Sequence, residues 1–178
     1  MIVTSGTLSP IDAFVNALGI DMRIIHSNNH VASSDQILCA SITHSAEQRE
    51  LLGVYEKRDD PEYHRGVGRI VARLCEIVPE GILIFFASYS KMFTCIQNWK
   101  KYIGNKNGKT IWEEMNMSKK LFEESKLKEG TNEAIRQYKL HVAQSNGAAL
   151  LAVCRGKVIN FSVVNHSDDP YSYISLTI

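Results

Sequence analysis

The residues that invite a chemical reading fail mostly on spacing. Gly104-Asn105-Lys106-Asn107-Gly108-Lys109-Thr110 holds the glycines, lysine and threonine of a phosphate-cradling loop. Such a loop needs four residues between its glycines and a buried strand before it. Here three residues separate them, and Trp99-Lys100-Lys101-Tyr102, which reads as a helix end, comes first. A solvated loop is the better account. Gly68-Arg69 with Arg73 has the ingredients of an arginine finger, but its spacing is off by one. Arg69 and Arg73 stand four apart on the polar face of a helical pattern, as surface arginines do. The six histidines are scattered, none with a glutamate at catalytic spacing, and Ser5 lacks the Gly-x-Ser-x-Gly turn of a hydrolase nucleophile. There is no sequence case for a metal site or a catalytic triad.

Bulk composition narrows the class. The chain has 178 residues, 44% hydrophobic and 22% charged, enough for one packed α/β domain and too little for two of ordinary size. No apolar run approaches bilayer length, and the N-terminus lacks the build of a signal peptide, so a soluble chain is expected. The net charge of +1 is low for a domain gripping nucleic acid by electrostatics alone. Cys39, Cys75, Cys95 and Cys154 are too widely spaced for a zinc or iron–sulfur site and lie within apolar patterns. They read as buried thiols in a reducing compartment.

The elements follow from periodicity. Ile2–Thr4 is a short strand, and Ser9 caps a helix with Pro10 at its first position, Asp12 in its first turn and Gly19 as its stop. Met22–Ile25 and Ile37–Ile42 read as two short strands, and residues 55–62 as a charged surface stretch. Val67, Ile70, Val71, Leu74, Ile77 and Val78 mark one face of a long helix that Pro79-Glu80-Gly81 ends. Ile82–Phe86 is a continuous apolar run, as in a strand buried on both faces. Ser88 caps a helix with the stripe Met92, Cys95, Ile96 and Trp99. Leu121-Phe122 suits a short strand, Thr131 or Asn132 caps a helix carrying Ile135, Tyr138 and Val142, and Ala148–Cys154 is another buried strand. Apolar strands alternating with amphipathic helices predict a mainly parallel sheet covered on both faces. Ligands of such sheets meet the loops at the carboxyl ends of the strands. Three segments stand there: Ser5-Gly6-Thr7, Ala87-Ser88-Tyr89 and Arg155-Gly156-Lys157.

These segments also carry a family resemblance. Thr4-Ser5-Gly6-Thr7-Leu8-Ser9-Pro10 resembles the third helicase motif of the iron–sulfur superfamily-two DNA helicases, the relatives of the xeroderma pigmentosum group D protein, the Fanconi anaemia group J protein and the regulator of telomere elongation helicase. Val78-Pro79-Glu80-Gly81-Ile82-Leu83-Ile84-Phe85-Phe86-Ala87-Ser88-Tyr89 resembles their fourth-motif strand, and Leu151-Ala152-Val153-Cys154-Arg155-Gly156-Lys157-Val158 the start of their fifth. The resemblance covers Met1 to Val158.

It implies the second RecA-like domain of a motor that moves 5′ to 3′ on single-stranded DNA while hydrolysing ATP, in DNA repair or telomere maintenance in the nucleus. The expected fold is a three-layer α/β/α sandwich, incomplete at its C-terminus, over residues 1–158, with 159–178 as a divergent tail. A translocating motor holds the phosphate backbone with hydroxyls, N–H groups and a few cations. Ser5 and Thr7 lie where the family couples the ATP cleft to the DNA track, against the bland reading of a turn and a cap. Ser88 and Tyr89 suit a phosphate contact and a stack on a base or sugar, or equally a cap and a packed aromatic. Arg155 and Lys157, after a buried strand, favour a phosphate-facing loop.

Departures matter as well. After Val158 the family continues Ser-Glu-Gly-Ile-Asp-Phe, whereas this chain runs Ile159-Asn160-Phe161-Ser162 and shows no sixth-motif arginines. The phosphate-binding loop, the Asp-Glu-Ala-His box and the cluster cysteines belong to the family's first domain. No cofactor is expected in this chain; ATP and Mg²⁺ serve the complete motor, and the iron–sulfur cluster sits in the first domain. Without the loop lysine and Mg²⁺ ligands, isolated catalysis is not expected. Expected partners are single-stranded DNA and the first helicase domain, with no membrane. The alternative is a non-catalytic DNA- or helicase-binding module.

Overall fold

A computed structural model of the chain describes residue 2, residues 10–19, 22, 24–26, 40–57, 59–105, 108–144, 147–154 and 173–178. Contacts divide the chain into two compact units, Met1–Ala40 and Ser41–Ile178.

In the first unit, helix α1 spans Ile11–Leu18. Pro10 occupies its N-cap, so the helix starts one residue later than the sequence suggested. Gly19 ends it in the left-handed region at φ 63°, its N–H donating to Val15 O at 3.1 Å. The expected strand at Met22–Ile25 is not observed at Met22, Ile24 or Ile25. Ile24 is 88% exposed and Ile25 54%, whereas a sheet strand would bury one of these neighbouring side chains. The strand proposed at Ile2–Thr4 lies outside the described residues, apart from Ile2, which is in none.

Of the strand expected at Ile37–Ile42, Ala40, which ends the first unit, and Ser41 and Ile42, which open the second, lie in no strand, and Ile42 is exposed. The charged stretch 55–62 holds a short 3₁₀ turn, Tyr55–Lys57, and the start of helix α2, Pro61–Ile77. Asp60 caps α2, accepting from the Glu62 N–H at 2.9 Å, with Pro61 at the first position, where its missing N–H costs nothing. Val78 closes α2 in an extended conformation, as the following Pro79 requires.

Then come strand β1 (Gly81–Phe86), helix α3 (Tyr89–Lys101), helix α4 (Ile111–Ser118), strand β2 (Lys120–Glu123), helix α5 (Lys128–Ala143), strand β3 (Ala148–Val153) and strand β4 (Tyr173–Thr177). The four strands form one sheet in the order β2-β3-β1-β4, and every pairing is parallel. β4 comes from the tail segment, which therefore contributes a sheet strand beside β1.

Helix placement follows from this order. The chain steps past the β3 position in going from β1 to β2, then reverses direction to reach β3. Parallel crossovers are right-handed, so a reversal sends the connecting helices to opposite faces. Packing agrees. Ile82, Ile84, Phe86, Ala149, Leu151 and Val153 join one core cluster with residues of α2, α3 and α4. Leu83, Phe85, Ala148, Leu150 and Ala152 join another with Ile135, Tyr138 and Val142 of α5. Every residue of β1 and β3 is buried, which accounts for their unbroken apolar runs. Burial of each large side chain contributes roughly 1.5–3 kcal/mol.

Two local readings are corrected. Thr131 and Asn132 do not cap α5, which begins at Lys128. Ser125 Oγ accepts from the Leu127 N–H at 3.1 Å and turns the chain earlier, while the Thr131 hydroxyl donates to Ser125 O at 2.7 Å. Helix α4 had no counterpart in the sequence reading. Its signal was a capping box: Thr110 Oγ1 accepts from the Glu113 N–H at 3.2 Å, and Glu113 accepts from the Thr110 N–H at 2.8 Å.

Candidate nucleic-acid interface at the carboxyl edge of the sheet

Because all four strands are parallel, the exits of β1, β2 and β3 share one edge. Phe86 stands in register with Val153, and Glu123 with Leu151. The Cys154 N–H donates to Phe86 O at 2.7 Å, so the segment leaving β3 starts beside the one leaving β1. The Glu124 N–H donates to Leu151 O at 2.8 Å and joins the β2 exit to the same row.

Of the six residues selected from sequence, Ser88 and Tyr89 lie among the described residues; Ser5, Thr7, Arg155 and Lys157 lie outside them. Ser88 is exposed, and its Oγ accepts from the Lys91 N–H at 3.2 Å, the N-cap bond of α3. A serine hydroxyl in that role keeps its own hydrogen for another acceptor. Tyr89 is half-buried, its ring against the core formed with α2, α3 and α4. Its hydroxyl donates to Glu124 Oε1 at 2.8 Å. Desolvation, together with the hydrogen bond to Glu124 and that residue's charge, pushes the phenol up to about 12.

Two residues of this edge escaped the sequence reading. Glu124 is 3% exposed, and its Oε2 accepts from the Val153 N–H at 2.8 Å. Lys91 is half-buried in the first turn of α3, 3.0 Å from His64 Nε2 and 4.8 Å from the centre of the Tyr63 ring. A cation in a first turn opposes the helix dipole, so a lysine there signals a local partner. Here the Tyr63 face and His64 fill that role.

The rejected motifs can be placed too. The ends of the Gly104-to-Thr110 segment pair with each other: Gly104 N–H donates to Lys109 O at 2.8 Å, and Ile103 bridges Thr110. A Cβ at Gly104 would collide with the Glu114 carboxylate, so an acid lies against the loop and does not fit a bound phosphate. Arg69 pairs with Glu47, and Arg73 with Glu76 at 2.7 Å, on the outer face of α2. Cys75 and Cys95 are buried free thiols, Cys154 is half-buried, and Cys39 lies outside the described residues. Among the described residues no three His, Cys, Asp or Glu side chains gather as a metal site, and no helix is long and apolar enough to cross a membrane.

A parallel sheet with helices on both faces and its strand exits gathered on one edge is the architecture of an α/β domain and agrees with a RecA-like fold. The profile of the helicase C-terminal domain matches residues 71–165, from the middle of α2 to beyond β3, and the chain belongs to that family. It is 38% identical over 160 residues to the regulator of telomere elongation helicase 1 homolog of Caenorhabditis elegans, covering 89% of this chain and 16% of that protein. The Arabidopsis thaliana homolog is also 38% identical over 160 residues and the Anopheles gambiae homolog 34%, each covering 89% of this chain and 15% of the relative. The chain thus corresponds to about one sixth of these longer helicases. Family membership makes it a helicase C-terminal domain.

Proposed function

We propose that this chain is the second motor domain of an ATP-dependent 5′–3′ DNA helicase acting in telomere maintenance or DNA repair in the nucleus, with single-stranded DNA crossing the carboxyl edge of its sheet. The observation that supports the reading is the Cys154 N–H to Phe86 O bond, which sets the end of β3, next in sequence to Arg155-Gly156-Lys157, beside the end of β1, two residues before the exposed Ser88. Hydroxyls and cations on adjacent loops grip phosphates without reading bases, as a translocating motor requires. In this reading Ser5, Thr7, Ser88, Tyr89, Arg155 and Lys157 face the DNA or couple it to the ATP cleft. ATP and Mg²⁺ bind with the first helicase domain, which also carries the iron–sulfur cluster, so this chain alone hydrolyses no ATP.

The test is the affinity of the chain for an oligo-dT strand as a function of salt. Arg155→Ala and Lys157→Ala should each weaken binding and lower the salt slope by about 1 or less per lost phosphate contact. Unchanged affinity and slope in the double variant would remove these residues from the interface.

A further inference from the structure

We propose that Glu124 is a positioning residue for the strand-exit loops: its carboxylate ties the exits of β1, β2 and β3 together and holds the segment starting at Cys154 against the one starting at Ala87. The inference rests on the nucleic-acid reading of this edge only for the consequence of that positioning.

The geometry comes from where β2 stops. β2 pairs with β3 from Lys120↔Ala148 to Glu123↔Leu151, leaving β3 two residues longer at the carboxyl edge. The N–H of Val153, the last residue of β3, then receives no partner from β2 through a main-chain carbonyl; Glu124 Oε2 takes it at 2.8 Å. A side-chain carboxylate replaces the missing length of strand. Its other oxygen accepts from the hydroxyl of Tyr89, at the head of α3 and three residues beyond the end of β1. The Glu124 main-chain N–H meanwhile donates to Leu151 O at 2.8 Å. One residue thus holds three exits through three hydrogen bonds.

Electrostatics sharpen the point. A carboxylate at an edge that receives phosphates would repel them. Glu124 is 3% exposed, and both oxygens face donors, so its charge is spent on the loops and withheld from the edge. Charge-assisted bonds of this kind are stiffer than neutral ones, which suits a device that sets loop spacing. The positions fixed are Tyr89, next to the exposed Ser88, and Val153, two residues before Arg155.

The experiment compares the whole chain with Glu124→Ala, Glu124→Gln and Val142→Ala, reading amide hydrogen exchange at Val153, thermal stability and affinity for oligo-dT at low salt. Val142 is buried against β-strand residues through α5, at the far end of that helix from the exits, and controls for stability loss alone. Glu124→Ala should speed Val153 exchange beyond its global destabilisation and weaken oligo-dT binding about tenfold. Glu124→Gln should restore both, since its amide oxygen still accepts the Val153 N–H and its NH₂ can face the phenol oxygen. Val142→Ala should lose stability and keep its affinity. Full Val153 protection in Glu124→Ala, or equal affinity losses in Glu124→Ala and Val142→Ala, overturns the proposal. If Glu124→Ala does not fold, Tyr89→Phe cuts one arm while keeping the ring, and must raise exchange in the Tyr89–Lys91 turn for the proposal to stand. A wild-type chain that ignores oligo-dT overturns the nucleic-acid reading, and the exchange comparison still decides the role of Glu124.

Discussion

The Trp99 indole N–H donates to the main-chain carbonyl of His64 at 2.8 Å, locking α3 onto α2. The approach is possible because Gly68, one turn on, leaves room: a Cβ there would collide with the indole and come within 3.1 Å of Ile111. Trp99 is fully buried and cannot swing away. Gly68→Ala should therefore destabilise the domain by about 1–3 kcal/mol through overpacking, despite alanine's better helix propensity. The check is a urea midpoint, and a stabilised variant would contradict the packing.

Ser88 separates its two readings by substitution. Ser88→Ala removes the bond to the Lys91 N–H and should cost about 0.5–2 kcal/mol, whereas Ser88→Gly should cost only a few tenths. If the hydroxyl also meets a phosphate, both variants lose oligo-dT affinity equally, although their stabilities differ. Affinity unchanged in both would leave Ser88 as a cap alone.

Tyr89 gives a pH signature. Its folded value of about 12 stands above the ordinary phenol value of 10.0. A group raised on folding favours the folded state while protonated, so its stabilisation is complete below pH 10.0 and is lost as pH rises through about 12. Burial raises Tyr63 as well, so phenolate absorbance should show more than one tyrosine titrating late, and Glu124→Gln should bring only the Tyr89 step earlier. A late-titrating amplitude undiminished in Tyr89→Phe would refute the assignment.

Buried thiols should resist labelling. Desolvation raises Cys75 and Cys95 to about 11, keeping both as inert thiols near neutral pH. Alkylation of the folded chain should spare both and modify them only after unfolding. Half-buried Cys154 should react sooner. Rapid labelling of Cys95 in the native state would show that the α3 packing is wrong.

The boundary between what was legible and what was not follows the range of the interactions. β1, β3 and the stripe Met92, Cys95, Ile96 and Trp99 were readable because burial on both faces, or on one helical face, writes itself as local apolar periodicity. The Ser88 cap was readable because capping spans only three residues. α4 was missed because eight residues make barely two turns, too few for a stripe to stand out, although its capping box was present. α5 starts at Lys128 rather than at Thr131 because Ser125 turns the chain earlier through the Leu127 N–H, and that turn depends on where β2 ends.

By itself the chain of residues determined the parallel α/β architecture, the family it belongs to and the place of Ala87-Ser88-Tyr89 at the end of β1, since each depends on patterns or strings of neighbouring residues. Tertiary structure alone decided that Tyr89 and Val153 meet through Glu124, that Lys91 rests against Tyr63 and His64, and that a strand from the tail pairs with β1. Those contacts join residues 27 to 92 positions apart, and a Glu123-Glu124 pair reads in sequence as solvated charge. Only the register of β2 against β3, which stops two residues short, puts one of those carboxylates where a buried N–H needs an acceptor.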